Sequence, residues 1–481
     1  MFSMSRFIYT LAIHALLPWA LLHLLWRARR QRGYLRHWDE RFGRYGKTAR
    51  SRPQEPVIWI HAVSVGETRA AQPLVAALRE RYPGHRILLT HMTPTGRATS
   101  QALFGNQVER VYLPYDTPWA VDAFLRRFRP AIGIVMETEL WPNLVAASRD
   151  ANVPLLLVNG RLSERSAQRY ARVPLLTRTA LRQLSAIAAI GTADAERLKR
   201  LGAPAVAVFG NMKFDVEAPA EQLDLGAEFR RRIGERPVFL CASTREGEEA
   251  PILDEWMKVG AGPSQADAPP VGGSEPGLRA RGANSVGAGP SQADAPPVGG
   301  SEPLLRARGA NKIGAGGTAL LVIVPRHPQR FDEVARLVVS LGLKFQRRSD
   351  NRPVAADTQV WLGDSMGELF AYYAAADIAF VGGSLLDFGS QNLIEPCTVG
   401  VPVLIGPSTF NFAAAARNAL AAGAARQCAD AAALAGAVLE LLGDAEERRR
   451  MGAAGRNFTA QHRGATQRTL GLIERFIPAA R

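Results

Sequence analysis

The sequence predicts an α/β protein made of two doubly wound, Rossmann-like domains with a cleft between them, preceded by an apolar helix. Three observations carry that prediction. From Pro56 onward short apolar runs alternate with amphipathic helical stretches, the pattern of βαβ units around a parallel sheet covered on both faces. The alternation falls into two series, separated by a polar stretch near 216–236. The chain, at 481 residues, is also longer than one ordinary core accommodates.

The first element is the segment 7–26, FIYTLAIHALLPWALLHLLW, which contains no Asp, Glu, Lys or Arg. Twenty helical residues just cross a bilayer core. Only Arg6 precedes the run, and the basic RARRQR that follows offers no small-residue cleavage site, so the segment does not read as a secretory signal. Basic flanks suit lipid headgroups better than a protein core. A single N-terminal anchor is expected, either spanning or lying on the surface, because Pro18, His14 and His23 weaken it as a span. The positive-inside rule places everything beyond Arg27 in the cytoplasm.

Charge supports the same reading. The net charge is +15, and the window from Arg27 to Arg52 supplies over half of it, with ten Arg or Lys against Asp39 and Glu40. An anionic partner is implied, and its position beside the apolar run favours anionic lipid. Nucleic acid is not expected, since no basic patch interleaved with aromatics follows on the folded part. The three cysteines, Cys241, Cys397 and Cys428, lie far apart without CxxC spacing. They read as structural residues of a reducing compartment, neither disulfide framework nor zinc site.

In the first series VIWIHAVS, RILLTHMT, RVYLPYD, AIGIVMETE, PLLLVNGRL and AIAAIGT read as buried strands; in the second PVFLCAS, ALLVIVPRH, LKFQRRS, TQVWLGD, ADIAFVGGS and VPVLIGP do. The expected division is 1–52 for the anchor and basic segment, 53–215 for the first domain, 216–236 for a linker and 237–481 for the second domain. One segment breaks the pattern. Residues 259–285 are repeated as 286–312 with two substitutions, rich in Gly, Pro, Ser and Ala and without apolar periodicity. A disordered tandem insertion between the first helix and second strand of the second domain is expected. The last stretch, from Asp430, is helical, and its final helix is a candidate to cross back to the first domain.

Six motifs stand out, five of them at strand ends, where doubly wound sheets bind ligands, and one, GNMKFD, at the end of the first domain. In HAVSVGE (61–67) Glu67 sits in a first helical turn, where it can take a proton from a hydroxyl or simply complement the helix dipole. METELWPN (136–143) sends Glu137 and Glu139 into the cleft before a helix starting near Pro142. GNMKFD (210–215) carries Lys213, able to neutralise a phosphate or carboxylate. IVPRHPQR (323–330) makes a cationic loop of Arg326, His327 and Arg330. DSMGELF (364–370) opens a helix whose N–H groups can face an anion. In VGGSLLDFGSQNLIEP (381–396) Gly382 and Gly383 permit close backbone approach, and a helix from about Gln391 presents Asn392 and Glu395 on one face. The sequence has neither a DxD motif nor a His/Cys cluster, so no metal is expected.

Together HAVSVGE, METELWPN, GNMKFD, PRHP, MGE and GGS…NLIEP resemble the Kdo (3-deoxy-D-manno-octulosonic acid) transferases, over nearly the whole chain apart from the repeat. The chain departs from that pattern in carrying GSQN where GGHN-like residues are expected. The resemblance implies a GT-B fold and an inverting, metal-independent, cofactor-free transfer of Kdo from CMP-Kdo to a lipid A precursor of the lipid IVA type, on the cytoplasmic face of a bacterial inner membrane. It implies Glu67 as general base, and Glu137 and Lys213 as transition-state stabilisers. Pro325 and Arg326, Met366, Gly367 and Glu368, and Asn392, Leu393, Ile394 and Glu395 would hold the CMP moiety. Rival readings are another GT-B enzyme, such as a UDP-sugar transferase or a UDP-sugar 2-epimerase, and a non-catalytic membrane scaffold.

Overall fold

A computed structural model of the chain describes residues 4–30, 32–46, 55–260 and 319–477. The repeat lies outside these residues from 261 onward. The helix Glu249–Gly260 precedes it and a buried strand, Leu320–Pro325, follows it.

Two sheets of seven parallel strands form the body. The first comprises β1 (Val57–His61), β2 (Arg86–His91), β3 (Glu109–Tyr112), β4 (Pro130–Met136), β5 (Leu155–Gly160), β6 (Ala186–Ala189) and β7 (Ala207–Val208), in the order β3-β2-β1-β4-β5-β6-β7. The second comprises β8 (Val238–Thr244), β9 (Leu320–Pro325), β10 (Phe345–Arg347), β11 (Val360–Leu362), β12 (Ile378–Val381), β13 (Val403–Ile405) and β14 (Ala425–Gln427), in the order β10-β11-β9-β8-β12-β13-β14. Every residue of β1, β5, β8 and β9 is buried. That is what helices on both faces of a parallel sheet require, and why these strands read as unbroken apolar runs. Apolar clusters lie on both faces of each sheet. The chain reverses direction across the sheet between β1 and β4 and again between β8 and β12, so each sheet has one switch-point crevice at its carboxyl edge.

Two expected boundaries are corrected. Residues 220–233 are a helix rather than linker: Ala220–Ile233 packs on the second sheet, with Phe229 fully buried and its ring 5.1 Å from that of Trp361 and 5.0 Å from that of Tyr372. Gly226 permits the approach, since a Cβ there would lie 2.6 Å from Ala374 Cβ. At the other end, the helix Ala465–Ile473 leaves the second half and joins the first core through Ala465, Leu470, Leu472 and Ile473. Its crossing is fixed by Asp215, whose carboxylate accepts the Gly464 and Thr466 N–H groups, and by Tyr82, whose hydroxyl donates to Ile477 O. The strands absent from the sequence reading are β7 and β14, the edge strands of two and three residues that close one side of each sheet.

The apolar N-terminal segment forms one helix, Met4–Arg30. It is long and apolar enough to cross a membrane, with mean hydropathy 1.7 in its most apolar window. All three cysteines are buried free thiols, whose ionisation burial opposes.

Candidate active site

The first switch point is built where β1 and β4 end side by side. After β1, Ser64 caps the helix Val65–Ala70, its hydroxyl oxygen accepting the Glu67 N–H. The S-x-x-E spacing is that of a capping box, but the carboxylate reaches back one residue beyond the Ser64 N–H. The Glu67 carboxylate accepts the Val63 N–H at 2.7 Å and the Ser64 hydroxyl at 2.9 Å. Glu67 is 8% exposed. Burial, aided by the neighbouring Glu137 charge and offset in part by these hydrogen bonds, pushes its pKa up to about 7. Glu67 therefore closes a helix terminus, and its carboxylate carries a raised pKa, as groups that exchange protons near neutrality do. A Cβ at Gly66 beside it would touch Ser64 Oγ at an ordinary 3.9 Å.

After β4 the backbone turns at Glu137 with φ of 58°, a left-handed conformation costly for a residue with a Cβ. That turn directs the Glu137 carboxylate to Lys213, with Nζ 3.7 Å from Oε1. Glu139, also raised by burial and by Glu137, stands close enough to Glu67 to add to its shift. The loop carrying Lys213 is placed by Asn159 at the end of β5, another residue with positive φ, whose side-chain carbonyl accepts the Met212 N–H at 3.0 Å. Thus three carboxylates and one ammonium converge from β1, β4 and the loop after β7. Among the described residues no group of His, Cys, Asp and Glu is arranged to hold a metal ion.

The second switch point gathers the loops after β8, β9, β11 and β12. Arg326 follows β9 and donates from Nε to Gln391 Oε1 at 3.1 Å. Burial and the adjacent Arg326 and Arg245 charges lower the pKa of the His327 imidazole. Arg330, expected as part of a free cationic loop, is instead tied to the buried Glu249 at 2.6 Å and to Glu333, so the cation supplied by this loop is Arg326. Asn392 precedes its helix, which begins at Ile394. Its carbonyl accepts the Ile394 N–H and its amide donates to Glu395 Oε1 at 3.0 Å, so Asn392 and Glu395 meet as a helix-opening turn rather than as two residues of one helical face. Leu393 and Ile394 are fully buried and anchor that turn. The MGE loop ends at Glu368, the residue before the helix Leu369–Ala375, and Glu368 pairs with Arg348 at 3.1 Å. Met366 is exposed and Gly367 has φ of 84°. Gly382 does not leave room for a ligand: a Cβ there would lie 2.6 Å from Thr244 Cα, so its role is to let β8 and β12 approach.

The two crevices face each other. Arg69, one helical turn beyond Gly66, is close enough to favour the charged form of Glu395 and to oppose that of Arg326. Lys213 Nζ lies 5.2 Å from the centre of the Phe412 ring, in the other half. Arg161 donates to the Phe410 and Asn411 carbonyls.

Several site residues were not found by sequence reasoning. Arg245, after β8, stacks its guanidinium 4.5 Å from the Phe388 ring centre and is a second cation beside Arg326. Glu248, fully buried, accepts the N–H groups of Arg245, Gly383 and Leu385 and so fixes the loops after β8 and β12 together. The available signal was the charged STREGEE stretch directly after a buried strand.

Comparison with known proteins bears on this arrangement. Residues 36–216 match the family model described as 3-deoxy-D-manno-octulosonic-acid transferase (kdotransferase), and residues 336–458 match glycosyl transferases group 1. The 3-deoxy-D-manno-octulosonic acid transferase of Bordetella pertussis is 41% identical, over 98% of this chain and 100% of that one. The protein of the same name from Haemophilus influenzae is 36% identical, over 98% and 99%. Among solved structures, a UDP-GlcNAc 2-epimerase from Neisseria meningitidis superposes with a TM-score of 0.52, covering 87% of this chain and 100% of that one at 13% identity, a likeness of fold alone.

Proposed function

The chain belongs to the family of 3-deoxy-D-manno-octulosonic acid (Kdo) transferases, and from that premise we propose that it transfers Kdo from CMP-Kdo to a lipid A precursor of the lipid IVA type, in lipopolysaccharide synthesis at the cytoplasmic face of a bacterial inner membrane. The observation that carries this reading is the pairing of a Glu67–Glu137–Lys213 cluster on one switch point with an Arg326–Asn392–Glu395 cluster on the other.

In the proposed reaction an acceptor hydroxyl attacks the anomeric carbon of Kdo. Its proton passes to Glu67, a base whose pKa near 7 matches the task. The bond from the anomeric carbon to the CMP phosphate breaks, with its electron pair leaving on the phosphate. A single displacement of this kind inverts the anomeric configuration. Lys213, held by Glu137, would face the donor's own carboxylate and the charge developing at the reacting centre. Arg326, with Pro325 setting its loop, would meet the phosphate. The turn at Asn392–Glu395 would accept ribose hydroxyls, and Met366, Gly367 and Glu368 would close over the cytidine side.

Cations of this set do what a divalent metal does elsewhere, so activity is expected to survive EDTA; loss restored by magnesium would overturn the metal-independent reading. The decisive test of the substrates is mass spectrometry of the lipid A precursor after incubation with the protein and either CMP-Kdo or UDP-sugars. A mass gain of one or more Kdo units with CMP-Kdo alone is expected. A gain with a UDP-sugar, or epimerisation of one, would favour the other GT-B readings.

A further inference from the structure

The N-terminal helix Met4–Arg30 is fastened at both ends to the same domain. Near its start the Tyr9 hydroxyl donates to Asp116 Oδ2 at 2.9 Å and the Thr10 hydroxyl donates to Asn143 Oδ1 at 3.0 Å. Asp116 is a buried anchor that also accepts the Asn143 and Leu144 N–H groups, so it caps the helix Pro142–Asp150 as well. Near its end Leu24 and Ala28 are buried. The chain then runs into the turns Arg32–Leu35 and Trp38–Phe42, where Arg41 donates to Met92 O and Glu40 accepts from Arg97 and from the Tyr112 N–H. Between Tyr9 and Ala28 a helix rises about 28 Å at 1.5 Å per residue, close to the ~30 Å hydrocarbon thickness of a bilayer. A helix crossing the membrane would put these two ends on opposite faces, yet both are held by one folded domain.

Burial along the helix agrees. Tyr9, Ile13, Leu17, Ala20, Leu24 and Ala28 form a shielded stripe at helical spacing; the helix touches Pro142–Asp150 and Pro174–Gln183 and, more extensively, the turn Arg32–Leu35 that follows it. On the other side Phe7, Leu11, Trp19, Leu22 and Trp26 are each more than half exposed. Val173 and Leu175, at the start of the neighbouring helix Pro174–Gln183, are exposed as well. Arg27 and Arg29 at the helix end, and Arg169 and Arg172 beside Val173, are exposed.

We infer that this helix does not cross the membrane but lies in the plane of one leaflet, its inner stripe docked on the domain and its outer stripe sunk among the acyl chains of an anionic lipid surface. The occupant follows from the chemistry: the outer stripe holds no charge, Trp19 and Trp26 suit the headgroup boundary, and arginines flank it where anionic headgroups would lie.

The test uses the full chain in right-side-out bacterial inner-membrane vesicles, whose cytoplasmic face is inside. The three native cysteines are buried, so an introduced cysteine can be read alone. Met4→Cys should resist a membrane-impermeant maleimide added from outside and react once the inner face is opened; labelling from outside would mean a span and end the proposal. In a second variant, Thr10→Cys with Asn143→Cys, mild oxidation in the membrane should join the two positions within one chain, and failure to join them in a folded, membrane-bound protein would overturn it independently. A nitroxide attached at Trp19→Cys should be relaxed more by dissolved oxygen than by a water-soluble nickel chelate, and the reverse would place the outer stripe in water and overturn the proposal. Disulfide-linked dimers through Trp19→Cys would assign the stripe to a second copy of the chain instead.

Discussion

At Glu67 one carboxylate closes a helix N-terminus and, on the reading proposed above, takes a proton from the acceptor. Glu67→Gln keeps the shape and much of the hydrogen bonding but removes the basicity, so kcat should fall by about 10²–10⁴-fold, with CMP affinity unchanged. Stability separates the two duties. The folded pKa of about 7 lies above the ordinary value of 4.5, so the stabilising contribution of this group is complete below pH 4.5 and is lost as pH rises through 7. The Gln variant should therefore melt no lower than the parent at pH 8; a markedly lower melting temperature there, with near-normal turnover, would leave only the capping duty. The pH dependence of kcat/KM should show an acid limb near 7. Since the Glu137 charge raises Glu67 after burial has done so, Glu137→Gln should move that limb toward lower pH by part of the shift and lower the rate; an unmoved limb would show that the limb belongs to another group. Glu395→Gln should act on the other side, weakening CMP binding more than it slows the transfer, as measured by titration with CMP alone.

Among the elements, the loops after β8 and β12 depend on Glu248, which accepts three backbone N–H groups in a buried site. A Gln there presents a donor where only acceptors fit. Glu248→Gln should cost about 1–3 kcal/mol of stability by leaving buried N–H groups unmet and should reduce CMP affinity through the displaced Gly383 loop, both read from thermal melts with and without CMP. The repeat calls for the opposite expectation. Nothing in its Gly-, Pro- and Ser-rich composition supplies an apolar face, so removing one copy, residues 286–312, should leave melting temperature and turnover nearly unchanged. A large loss of either would show that the copy contributes to a packed surface.

For the whole molecule, the N-terminal helix and the half that carries Glu67 are one piece. Its docking partner Asn143 is four residues beyond Glu139, in the same METELWPN loop that carries Glu137. The proposed acceptor is a lipid, so a helix lying in the leaflet would keep the reacting centre at the surface where that lipid resides. Deleting residues 1–26 should therefore release much of the protein from vesicles and also lower its melting temperature, because the helices Pro142–Asp150 and Pro174–Gln183 lose their cover. Residual attachment through the basic segment should be salt-sensitive, at about 1 kcal/mol per Lys or Arg near the surface. Flotation with vesicles containing phosphatidylglycerol, at low and high salt, measures this; a truncated protein that stays bound in high salt would contradict the electrostatic account.

Much of this was legible in the chain. Buried parallel strands are continuous apolar runs, and the capping and turn residues that follow them are local signals, so twelve of the fourteen strands and the loops bearing Glu67, Glu137, Lys213, Arg326 and Glu395 could be placed from sequence. Local signals do not report partners distant along the chain. That Arg330 is consumed by Glu249, that Gly382 serves strand packing, that Glu248 ties two loops and that Ala220–Ile233 belongs to the second core all depend on contacts between segments far apart. The same holds for the first helix. Its composition marks it as long and apolar enough to cross a membrane, whereas only the tertiary structure shows that Tyr9 and Thr10 tie it to Asp116 and Asn143 of the folded domain, because those partners lie more than a hundred residues away.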